Sequence, residues 1–200
     1  MLVLPLRQPV LAAKMLATVD VLSKGRLTVG VGVGWMSEEI ALLGGPAFAE
    51  RAQASEECIQ AFRELWTAEK PVQQGPYAAF DKLLFAPKSA QLPHAPIWVG
   101  GEVEGARRRA GRLGNGWYPV AANPRIPLDT PQLYGDAPVE VRAEAERAGR
   151  DPGQIVGTIL AIYCRIRTEQ QGREDGRLAE VSKRSLTISA TFRSVGCSIA

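Results

Sequence analysis

Few residues in this chain could carry chemistry. It has one histidine, His94, and three widely spaced cysteines, Cys58, Cys164 and Cys197, with no CxxC pair. That shortage disfavours a zinc site and a disulfide framework, so no metal is expected, and it leaves Ser-His-Asp or Cys-His catalysis dependent on His94. His94 lies in Pro93-His94-Ala95-Pro96, which reads as a surface loop. Two glycine strings are more informative. In Gly30-Val31-Gly32-Val33-Gly34-Trp35 the third glycine comes too early for GxGxxG, so the dinucleotide fingerprint is only partly matched. Glu38 and Glu39 follow it, where a carboxylate could position or protonate a substrate, or simply sit on the positive end of a helix. Glu38 is the catalytic candidate. Gly100-Gly101-Glu102 closes one predicted strand and opens a helix, which gathers backbone N–H groups and the helix dipole into an anion site. Trp117, past the next turn, reads equally as a pocket wall or a core residue.

Composition narrows the classes. The chain has 200 residues, 46% hydrophobic and 22% charged, which predicts one soluble globular domain with a real core. The net charge of +3 comes from interleaved signs, except at Arg107, Arg108, Arg109 and Arg112. That run reads as a solvated helix face and lacks the breadth and aromatics of a nucleic-acid surface, so no nucleic-acid partner is expected. No stretch reaches the roughly 18 apolar residues of a membrane span, and no membrane partner is expected. Met1 to Pro9 lacks the charged start and cleavage site of a signal peptide, which makes the cytoplasm the expected compartment.

Strand and helix alternate along the chain. Leu2 to Leu4 reads as a strand end, and a helix follows from Val10 to Leu22 with apolar residues at 11, 15, 16, 19 and 22. Arg26 to Trp35 is apolar on both faces, as in a parallel sheet. A loop holding Glu38, Glu39 and Gly44-Gly45-Pro46 leads to a helix from Glu50 to Trp66. Residues 71–93, broken by prolines, read as an insertion. Strands at Ile97–Gly101, Gly116–Val120 and Ile155–Ile166 then alternate with helices at Val103–Leu113 and Val139–Ala148. Lys14, Asp20, Arg26 and Arg51 read as structural charge pairs. The right-handed crossover rule leaves an open doubly wound sheet or a closed barrel. A Rossmann-like dehydrogenase would need an acidic residue about 20 positions beyond the glycines, and their spacing argues against it.

The residue strings go further. Leu4-Pro5-Leu6-Arg7 with Pro9 and Ala13-Lys14, Leu22-Ser23-Lys24-Gly25-Arg26-Leu27, and Gly30 to Trp35 with Glu38-Glu39 occur in that order. Glu50-Arg51, Leu65-Trp66, Pro87-Lys88 with Gln91, Pro96 to Gly101, Arg108-Arg109-Ala110 and Leu113-Gly114-Asn115-Gly116-Trp117 complete the series. In wording, order and spacing this resembles the luciferase-like monooxygenases, more closely their coenzyme F420-dependent branch, with much shared by FMN-dependent relatives. The resemblance implies an α/β fold, a (β/α)₈ TIM barrel entered at its third strand, incomplete because strands 1–2 and the closing strand are absent. Residues 1–168 would form the partial barrel and 169–200 an atypical tail. It implies F420 or FMN as cofactor, with Gly32, Val33, Gly34 and Trp35 lining the ring, Gly100, Gly101 and Glu102 at the phosphate, and Trp117 walling the pocket. Relatives commonly carry serine or threonine after the glycine pair, whereas Glu102-Val103-Glu104 would set two carboxylates against a phosphate. The implied function is hydride transfer, or oxygen activation, on a small organic substrate, with a homodimer as a further expectation. The alternative is a truncated, inactive relative that binds cofactor or dimerises.

Overall fold

The computed structural model describes residues 1–121, 123–128 and 130–158. The predicted strand beyond residue 158, Cys164, Cys197, the alternating stretch 186–192 and the tail lie outside the described residues. Two compact units divide the chain, Met1–Trp98 and Val99–Ala200.

In the first unit, β1 (Leu2–Val3) leads through a 3-10 turn to α1 (Pro9–Leu22). Gln8 caps this helix by accepting from Leu11 N at 2.6 Å, and Pro9 takes the position where its missing N–H costs nothing. Gly25, at φ +76°, ends it by donating to Asp20 O at 2.9 Å. β2 is shorter than the apolar run predicts, Val29–Gly32, and it pairs in parallel with β1, Leu2 opposite Val31 and Val3 opposite Gly32. A short helix, α2 (Ser37–Leu42), replaces the predicted loop, with Glu38 and Glu39 in its first turn and Ile40 turned into the core. Carboxylates at that end offset the dipole.

The helix α3 (Arg51–Thr67) buries Ala54, Cys58, Ala61, Phe62, Leu65 and Trp66, the i, i+3/i+4 stripe of a half-buried helix. It packs on α1, where Ala13 and Ala17 have no exposed surface, so the helices approach closely. Trp66 spans the contact by donating its indole N–H to Ala13 O at 3.0 Å. Residues 71–93 carry one antiparallel bridge, Gln73 to Phe80, and are strapped to the helices by side chains. Lys88 donates to Leu65 O at 2.8 Å and Ala68 O at 2.6 Å, a cation at the negative end of α3. Asp20, fully buried on α1, accepts from Ser89 Oγ at 2.6 Å, Ala90 N at 2.8 Å and Gln91 Nε2 at 2.8 Å. β3 (Ile97–Gly100) straddles the division between units. Its approach is fixed by Val29 N donating to Pro96 O at 2.8 Å.

The second unit continues with α4 (Glu104–Leu113), β4 (Gly116–Tyr118), α5 (Pro131–Gly135), α6 (Ala137–Arg147) and β5 (Val156–Gly157). β4 and β5 pair in parallel, Gly116 opposite Val156 and Trp117 opposite Gly157. The helices α4 and α6 lie against each other, and Gly111 allows it: a Cβ there would sit 2.4 Å from Val141 O. The strand order is β1-β2-β3 in the first unit and β3-β4-β5 in the second, with β1 and β5 the end strands among the described residues.

The arginine run is less solvated than its sequence suggests. Arg109 is 5% exposed, and Arg107 reaches Glu140 of α6 at 2.6 Å. Arg108 and Arg112 are the exposed members, and Arg108 is paired to Glu104 at 2.5 Å. These residues join two helices, which is why a helix so polar can pack at all.

Candidate cofactor site

The predicted site residues fall into two groups, one in each unit. In the first unit, β2 ends at Gly32, which is buried; Val33 and Gly34 are partly exposed, and Trp35 is 80% exposed. The turn there requires glycine. Gly34 sits at φ +79°, and a Cβ on it would meet Val3 Cγ1 at 3.0 Å and Ile40 Cδ1 at 3.3 Å. A Cβ on Gly32 would fall 2.7 Å from Met1 Sδ.

Glu38 lies in the first turn of α2 and is exposed. Its pKa is lowered by the backbone N–H of its own residue and then by Ser37 Oγ, which donates to Glu38 Oε2 at 3.0 Å. A general acid working near neutral pH needs the opposite shift. Glu38 therefore carries its negative charge at neutral pH, where it can position a substrate or accept a proton.

In the second unit, β3 runs into Gly101, whose φ of +113° and whose added Cβ, 2.8 Å from Ala106 Cβ, both demand glycine. The turn opens α4, which has no side-chain cap on its first amides. The acidic residues there are already engaged. Glu102 is 7% exposed and accepts from Val120 N and from Asn123 Nδ2, both at 2.7 Å, while Glu104 pairs with Arg108. The repulsion expected between Glu102, Glu104 and an anion is thus reduced by donors that the glycine string does not reveal. Trp117 lies behind this turn at 1% exposure, donating its indole N–H to Gly101 O at 2.8 Å. Its ring stacks on Tyr134 with centroids 5.7 Å apart.

Other reactive candidates are accounted for by packing. The Cys58 thiol is buried and its pKa is pushed up to about 12, which makes it inert as a nucleophile. His94 is half-buried against Trp66, ring centroids 6.0 Å apart, where the prolines around it predict a surface loop. No metal-binding cluster occurs among the described residues, and no helix of the described residues is long and apolar enough to cross a membrane.

The residues read as charge pairs instead bond to uncharged groups. Asp20 holds Ser89, Ala90 and Gln91; Lys14 donates to Ala86 O; Arg26 donates to Ser23 O at 2.8 Å. Arg51, the first residue of α3, donates to Phe48 O at 2.6 Å and to Gly34 O at 3.3 Å. Only the last of these touches the candidate site, and nothing in the spacing of the sequence could have shown it.

Comparison with known proteins gives a consistent result. The family model for luciferase-like monooxygenases matches residues 1–186. An FMNH(2)-dependent dimethylsulfone monooxygenase of Pseudomonas putida is 38% identical over 112 residues, covering 55% of this chain and 31% of that protein. An F420-dependent glucose-6-phosphate dehydrogenase of Nakamurella multipartita is 31% identical over 165 residues, covering 82% of this chain and 46% of that protein. Among solved structures, the monooxygenase RslO1 from Streptomyces bottropensis superposes with a TM-score of 0.67 at 28% identity, covering 88% of this chain and 52% of that one. The chain thus spans between about a third and a half of the length of these relatives.

Proposed function

The chain belongs to the luciferase-like monooxygenase family, with a partial, open barrel as its fold, and from that premise we propose that it binds a phosphate-bearing flavin or deazaflavin, FMN or F420, for oxidoreduction of a small organic substrate. The observation that carries this reading is the Gly101 turn. Its backbone excludes any side chain, it opens a helix of ten residues, and its nearest carboxylate is committed to Val120 and Asn123. A phosphate is the ligand that such a turn accepts. In this reading the amides at Gly101 and Glu102 hold the phosphate and Trp117 supports them from behind through Gly101 O, while a ring-lining role for Gly32, Val33, Gly34 and Trp35 is taken from the family resemblance alone. The cofactor supplies the redox chemistry when bound. The protein's own part is to orient it and to exclude water.

Titration of the 200-residue chain with FMN and with F420, read by the fluorescence of each cofactor, tests the proposal. Saturable binding is expected for one of the two, with inorganic phosphate competing. Gly101→Ala should weaken it at least about tenfold, the equivalent of roughly 1.4 kcal/mol. Absence of binding for both cofactors would refute the reading.

A second reading is a relative that holds cofactor, or pairs with a second copy, without turnover. The exposure of Glu38 favours it, since the catalytic candidate stands in water rather than in an enclosed site. It predicts bound cofactor whose absorbance stays unchanged when dimethyl sulfone or glucose 6-phosphate is supplied.

A further inference from the structure

The chain leaves β2 at Gly32, turns at Gly34 and returns to start α3 at Arg51, and one guanidinium holds both ends of the excursion from Gly34. Arg51 Nε donates to Gly34 O at 3.3 Å, and its terminal nitrogen donates to Phe48 O at 2.6 Å. The guanidinium carbon also lies 3.7 Å from the centre of the Phe48 ring, within cation–π range. The enclosed segment, 35–47, contains Trp35, Glu38, α2 and the Gly44-Gly45 turn, and its own anchorage is narrow. Ile40 is the one buried residue of α2, while Trp35, Leu42 and Leu43 are 80%, 85% and 61% exposed.

We propose that Arg51 is a positioning residue: it closes the 34–48 loop at its base and so fixes the attitude of the Gly34–Trp35 wall toward bound cofactor. The role in cofactor binding rests on the reading of the site given above; the closing of the loop does not. A planar fork is needed, because two carbonyls and one aromatic face must be met by a single rigid group, which a lysine ammonium cannot do. The position of Arg51 suits it to this. Ser55 Oγ donates to Arg51 O at 2.7 Å, so the residue is held on the first turn of a helix whose far side is buried in the core. The loop is thereby referred to the longest helix of the first unit.

Amide hydrogen exchange on the full chain, wild type against Arg51→Gln and Arg51→Lys, tests the proposal, with Val31 and Ile59 as internal controls for folding. Exchange across 35–45 should rise at least about tenfold in both variants while the controls stay protected, and lysine should not rescue. Unchanged exchange in 35–45 in Arg51→Gln with intact controls would overturn the proposal. Phe48→Leu, which removes only the ring contact, supplies a milder variant should Arg51→Gln lose protection throughout; loop exchange no faster than wild type in that variant would overturn it equally. In cofactor titrations, Arg51→Gln should bind about tenfold more weakly. If the wild-type chain binds neither FMN nor F420, the cofactor reading falls, and the closing of the loop by Arg51 then stands or falls on hydrogen exchange alone.

Discussion

At the scale of single residues, the decisive interactions join polar side chains to backbone. Asp20 is the clearest case. Burial alone would raise its pKa, but hydrogen bonds from Ser89, Gln91 and Ala90 outweigh it and hold the carboxyl below its ordinary value. A folded-state pKa below the unfolded one means that Asp20 stabilises the fold fully above its unfolded pKa of about 3.9, and that this contribution is lost as the pH falls through the folded value. Asp20→Asn turns an amide NH₂ toward donors and should cost about 2–4 kcal/mol, seen as a lower denaturation midpoint at unchanged slope and as a weaker acid dependence below pH about 4. None of this is legible in the sequence. There Asp20 reads as half of a charge pair, because its partners lie about 70 residues away in a segment that reads as an insertion.

At the scale of elements, the sequence is a better guide, for a reason that is physical. Helix signals are local, so α1, α3, α4 and α6 fall within a few residues of their expected bounds, but the stripe at Leu11, Met15, Val19 and Leu22 that reads as the apolar face of α1 is exposed, and Ala12, Ala13, Ala17 and Asp20 form its buried side. The helix α2 escapes such a reading, since six residues make too short a stripe to distinguish from a loop. Glycine positions are legible as turns, but their packing is not. In α4, Gly105 has open space around it, whereas a Cβ on Gly111 would lie 2.4 Å from Val141 O and 2.6 Å from Glu144 Cβ. Alanine at the two positions should therefore act in opposite directions. Gly105→Ala should stabilise by about 0.5–1 kcal/mol through helix propensity. Gly111→Ala should destabilise by about 1–3 kcal/mol by forcing α4 from α6, and paired thermal melts would show the two midpoints moving apart.

At the scale of the whole molecule, one helix presents an unusual surface. The helix α1 is apolar on nearly every side, which is the composition of a helix covered all round, yet Leu11, Met15 and Leu22 are 60%, 61% and 77% exposed along one stripe. Apolar patches of this kind promote association, and beside them β1 is an end strand among the described residues. Leu11→Glu with Met15→Glu should accordingly shift the sedimentation of the chain toward monomer while leaving its far-ultraviolet dichroism intact; an unchanged distribution would separate α1 from self-association. The family is legible at this scale from ordered residue strings, although the interactions that hold the glycine turns in place are not. Among those turns, the exposed Trp35 also sets an optical property of the molecule. The chain has four tryptophans, of which Trp66 and Trp117 are sealed in the core and Trp98 is partly covered. Trp35, in water at the end of β2, must therefore dominate the red edge of the intrinsic emission and the fraction quenched by iodide, so this one wall of the molecule reports on itself without any label.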